Sequence, residues 1–137
     1  MKVKIDKRDT VFSLLVRERA DQLCERCNRH GTEVQLQCSH IFSRRHVGIR
    51  WHPDNAQCLC FACHKWWHES PAQSGIWIRN LLGGGFIDLL EEKKNQIKKY
   101  SKPVREDIHK HLKAEHKKML EDRKIGVDGR LEFEAFD

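Results

Sequence analysis

Two Cys-x-x-Cys pairs, Cys24–Cys27 and Cys60–Cys63, are the first residues in the chain whose spacing implies chemistry. Each pair presents two thiolates on one side of a tight turn. Two such pairs close a tetrahedral zinc site with no open position, which makes the zinc structural. The 32 residues between them exceed a short zinc ribbon and must fold as an insert. Cys38 and Cys58 lie outside the pairs. On a hairpin that sets position 40 against 55 or 56, they face each other as buried, small apolar groups. Cys58 competes with Cys60 by position, and Cys60 is preferred because it completes a Cys-x-x-Cys.

A second set of residues suits hydrolysis. Ser39-His40 closes the first half of the insert, Asn55 opens the second, and His64 and His68 follow the second knuckle at i and i+4. That spacing puts two imidazoles on one helix face, where they can grip one metal ion. A histidine near neutral pKa takes a proton from water, and a divalent ion stabilises charge on a phosphate and its leaving 3′ oxygen. An amide can orient the base. The set, His40, Asn55, His64 and His68 around one pocket, suits phosphodiester hydrolysis.

These side chains need elements to carry them. Asp9-Thr10 offers a cap for a helix over about 10–23, with Phe12, Leu15, Val16 and Leu23 at helical spacing and Arg19 as the polar exception. Residues 33–38 alternate as a strand and 56–59 form its return, joined by a basic loop over about 41–53. Cys63–Glu69 reads as a helix ended by Pro71. Of Trp66 and Trp67, one is expected to pack on the first helix. Gly83-Gly84-Gly85 breaks the apolar patch of Ile76–Leu82. Phe86, Leu89, Leu90 and Ile97 suggest a helix to about Tyr100, and Ser101 and Pro103 start another to about Leu120. Its narrow stripe of Ile108, Leu112 and Met119 is a candidate homodimer face. The layout is one domain over 1–137, with a core at 20–70, a helical extension at 74–121 and a loose acidic tail at 125–137.

The net charge is +6, with the basic excess in the N-terminal half. No acid falls between Glu33 and Asp54, where Arg44, Arg45, Arg50 and three histidines cluster. Such a loop attracts phosphates, and Arg44, Arg45 and Lys65 are the expected backbone contacts to DNA. The N-terminus has no apolar signal region, and no apolar run approaches the roughly 20 residues of a membrane span. The chain is expected to be soluble and cytoplasmic, where clustered cysteines hold metal rather than disulfides.

Ser39-His40, Asn55 and Cys60-Phe-Ala-Cys63-His64 together resemble the HNH nuclease pattern. Three stretches, Ser39–Arg45, Arg50–Asn55 and Gln57-Cys58, also resemble the lambdoid NinG (Rap) recombination nucleases. The resemblance covers about residues 20–70. It implies a ββα-metal core; with the structural zinc and the N- and C-terminal helices read on either side, the expected fold is α+β. It also implies His40 as general base, Asn55 as its orienter, His64 as metal ligand and His68 as the second helix histidine. Ser39 stands where many members carry Asp or His as a direct ligand to the catalytic ion, and a serine is a poor one. A divalent ion held mainly by His64 and His68 suits Mn, Ni or Zn at least as well as Mg. The implied role is phage-encoded DNA cleavage in the host cytoplasm, in recombination, packaging or on branched DNA, with phage proteins as partners. Two other readings remain open: a non-catalytic zinc-finger DNA-binding module, and an interaction protein assembled through the C-terminal helices.

Overall fold

The computed structural model describes residues 3–96 and 98–136. Among them are five α-helices and one two-stranded antiparallel sheet, an α+β arrangement. The first helix, α1 (Lys7–Arg19), starts a turn earlier than the Asp9-Thr10 cap predicts. Asp6 is the cap: its carboxylate accepts from Arg8 N at 2.8 Å, and Asp9 returns a bond from Asp6 N at 2.9 Å. The helix also ends earlier than expected. Asp21 and Gln22 adopt positive φ, so a turn rather than a helix delivers the chain to Cys24.

Strands β1 (Leu36–His40) and β2 (Ala56–Cys60) pair with Cys38 opposite Cys58 and His40 opposite Ala56, the register expected from the sequence. β1 begins after Glu33 and Val34 because both of their N–H groups bond back to His30 O in a turn. Helix α2 (Phe61–Glu69) follows β2 directly, capped by the Cys60 sulfur. Pro71 does more than end α2, since it opens α3 (Pro71–Leu82) at a position where its missing N–H costs nothing. Only Gly83, at φ 93°, makes the break; Gly84 and Gly85 belong to α4 (Gly84–Asn95), which stops short of Tyr100. Ile97, assigned to that helix from sequence, lies outside the described residues.

Helix α5 (Lys102–Lys124) runs along α1. Its stripe of Ile108, Leu112 and Met119 is buried within the chain, in one cluster with Phe12, Leu15 and Val16. The face read as a dimer seam is therefore internal. An apolar stripe reports that a face is covered but not by what. The acidic tail is packed rather than loose. Phe133 meets the Phe12 ring edge-on at 6.0 Å, and Leu131 N donates to Arg19 O at 3.1 Å. Arg130 also pairs with Glu25 at 2.5 Å. Arg19, the polar exception in the stripe of α1, is 2% exposed. Its guanidinium donates to Pro53 O (2.8 Å) and Ala56 O (2.6 Å), which fastens α1 to the start of β2. No described helix is long and apolar enough to cross a membrane.

Candidate active site and metal centre

The chain places Cys24 and Cys27 on the turn after α1, and Cys60 and Cys63 at the junction of β2 and α2. Their four sulfurs lie within 4.8 Å of one another, and Cys27 and Cys60 are 3.8 Å apart. Four thiolates about 2.3 Å from a tetrahedral zinc are separated by about 3.8 Å, so the cluster fits a closed zinc site. Cys27 N and Cys63 N point at the Cys24 and Cys60 sulfurs, each at 3.5 Å. Burial raises the Cys24 thiol, but backbone N–H groups outweigh it and bring the pKa down to about 7. Arg26 lies over the Trp66 ring at 3.6 Å and donates to the Cys63 sulfur at 3.4 Å. Cys60 rather than Cys58 joins the tetrad. Cys38 and Cys58 stay outside it, and burial pushes both thiols up to about 12, as inert apolar groups.

A cleft of about 770 Å³ lies between α1, β1 and α2. His40, His64 and His68 all line it, together with Gln37, Arg17 and Arg44. His64 and His68 approach Nε2 to Nε2 at 3.1 Å. Two nitrogens about 2.1 Å from one ion, at a right angle, are about 3.0 Å apart, so the pair has the bite of a metal chelate. Burial and the neighbouring His68 both lower the His64 pKa, which favours the neutral ring. Among the described residues no carboxylate joins this pair to make a three-residue metal cluster. The remaining positions on an ion would fall to water or an anionic ligand.

His40 Nε2 donates to Arg50 O at 3.1 Å, which leaves Nδ1 as the proton acceptor. Burial pulls its pKa down to about 4, against the carbonyl of Arg50, so His40 is held neutral and is a weaker base than the near-neutral histidine expected from the sequence. Asn55 is not the orienter. It is 0% exposed, accepts from Phe42 N (2.8 Å), and donates to Phe42 O (2.9 Å) and Ile49 O (3.1 Å). Its amide pins the loop between the strands, and that loop supplies the carbonyl that orients His40.

Ser39 is 2% exposed and does not line the cleft, so the structure gives it no place among the ligands there. Of the expected phosphate contacts, only Arg44 faces the cleft; Arg45 and Lys65 are exposed elsewhere. Both Trp66 and Trp67 pack edge-on against Trp77 of α3.

Three groups escaped the sequence reading. Gln37 Oε1 accepts from His64 Nδ1 at 2.6 Å, fixing the tautomer that presents Nε2. Asp9 holds the Arg50 guanidinium (3.0 and 2.5 Å) and Trp51 Nε1 (2.9 Å), tying the loop to α1. Burial raises the Asp9 pKa, but these donors outweigh it and hold the carboxylate ionised. Arg17 reaches the cleft from α1. None of the three had a sequence signal: strand alternation sets Gln37 on the opposite face from His40, and the other two depend on how α1 crosses the hairpin.

Comparison with family models, curated proteins and solved structures finds no match to this chain.

Proposed function

We propose that the protein is a metal-dependent endonuclease of the HNH (ββα-metal) type that hydrolyses DNA phosphodiester bonds. The observation that carries this reading is the convergence of His40, held by one nitrogen, and the chelating pair His64/His68 in one cleft. β1, β2 and α2 follow one another in the order the resemblance implies, with a zinc-fitting tetrad at their junction.

In this mechanism His40 Nδ1 takes a proton from a water molecule as the water oxygen bonds to phosphorus and the bond to the 3′ oxygen breaks. His64 and His68 would hold a divalent ion, which would supply charge stabilisation to the phosphate and the leaving oxygen. Gln37 orients His64, and Arg50 O orients His40. Asn55 keeps the loop in place, and Arg44 meets the phosphate backbone. Recombination, packaging or branched-DNA processing in a phage setting is the role that the sequence resemblance suggests.

Supercoiled plasmid incubated with the zinc-loaded protein and Mg, Mn, Ni or Zn should convert to nicked or linear DNA. Omitting the added ion, or replacing both His64 and His68 by alanine, should abolish the conversion. Tight DNA binding with no cleavage under any ion would instead favour the non-catalytic zinc module.

A further inference from the structure

We infer that one face of α1, formed by Thr10, Ser13 and Arg17, is the wall along which the phosphate backbone of the bound strand runs. The inference rests on the endonuclease reading for the nature of the polyanion, but on its own observations for the place. All three side chains line the cleft that holds the histidines. They stand at i, i+3 and i+7, and so share one face of the helix over about 10 Å. That length matches about three nucleotides at roughly 3.4 Å each along a strand.

The charges of the cleft favour an anion. Arg17 has no carboxylate partner among the described residues; its Nε donates to Ser13 O at 3.2 Å. Arg44 lines the same cleft from the loop after β1. The one carboxylate in the lining, Asp9, is already occupied by Arg50 and Trp51, and approaches Arg44 at only 3.9 Å. Two guanidinium groups therefore face the cleft with no fully available counter-charge, beside two hydroxyls that suit phosphate oxygens. A hydrolytic site needs such a wall, because the histidines hold only the reacting phosphate and the flanking ones must fix its position.

The test is binding of a short fluorescein-labelled DNA duplex by the zinc-loaded full chain, without added divalent ion, over a series of salt concentrations. Arg17→Gln should weaken binding and reduce the slope of log Kd against log salt by about 0.9, the value for one lost phosphate contact. Arg17→Lys should restore the slope, Ser13→Asp should weaken binding by like-charge repulsion, and the exposed control Lys110→Gln should change neither slope nor affinity. Thermal melting checks that each variant is folded. An Arg17→Gln slope equal to that of the wild type or of Lys110→Gln would overturn the assignment of the α1 wall, as would absence of binding by the wild type. If the slopes behave as expected but no ion supports cleavage, the endonuclease reading falls and the wall stands. If the wild type cleaves and Arg17→Gln binds DNA with the wild-type slope and affinity, the wall falls and the endonuclease reading stands.

Discussion

Replacing Asn55 by alanine separates two roles for that residue. As a direct partner of His40, it would be a catalytic accessory, and its loss would leave stability nearly unchanged. As the clamp of the inter-strand loop, it makes three buried bonds, to Phe42 N, Phe42 O and Ile49 O. Alanine removes all three and leaves a buried donor and two carbonyls without that partner. At about 1 kcal/mol per bond, the expected loss is about 3 kcal/mol, since unsatisfied buried groups add to it and local relaxation subtracts. For a chain of this size that is a fall in Tm of roughly 10 °C. Asn55→Asp should cost at least as much, because it sets a carboxylate oxygen against the two carbonyls that the amide nitrogen now serves. Urea unfolding of the zinc-loaded proteins gives the free energy, and a change in midpoint without a change in slope keeps the comparison valid. A loss below about 1 kcal/mol, with cleavage abolished, would refute the clamp and return Asn55 to the base.

Four further outcomes follow from the same structure. Colorimetric assay should find one tightly held zinc per chain, and Cys60→Ser should lose it together with the circular dichroism of the hairpin and α2. Gln37→Leu should weaken Mn or Ni binding at His64 and His68 by about 10- to 100-fold in titration calorimetry, while the melting temperature of the zinc-loaded protein holds. Leu112→Ala should destabilise the fold by about 2–5 kcal/mol in urea with no change in sedimentation, because the stripe is internal. The pH dependence should carry the mark of His40. Its folded pKa of about 4 lies below the ordinary value of 6.5, so the unfolded chain binds more protons between the two. Stability from this group is complete above the ordinary value and is lost as pH falls towards the folded one. Between pH of about 7 and 5.5 the wild type should lose about 1 kcal/mol more than His40→Asn in parallel urea titrations.

Much of the candidate site was legible because the chemistry proposed for it imposes spacing on the chain. Two knuckles must each offer sulfurs across a tight turn, and two histidines must share one helix face, so both leave a short-range pattern. The hairpin register was legible for a similar reason: alternation and the Pro53-Asp54 turn leave few ways to pair Cys38 with Cys58. The groups that support the site leave no such trace. Asp9 meets Arg50 and Trp51 across more than forty residues, through the crossing of α1 over the hairpin. Arg19 looked like a flaw in an apolar stripe until Pro53 and Ala56 supplied its acceptors. Asn55 was found by its position, but its partners are backbone groups of a loop without periodicity. Phe133 belongs to a tail of acidic composition, and its burial comes from distant partners, the Phe12 ring and the Arg19 guanidinium over its face.

The central claim is that His40 removes the proton from the attacking water in a cleft whose ion is held by His64 and His68. Single-turnover cleavage of a labelled duplex by the zinc-loaded protein at saturating Mn tests it most directly. His40→Ala should lower the rate by about 10²–10⁴-fold, the usual worth of a general base, with zinc content and DNA affinity unchanged. Equal rates for the two proteins would contradict the account.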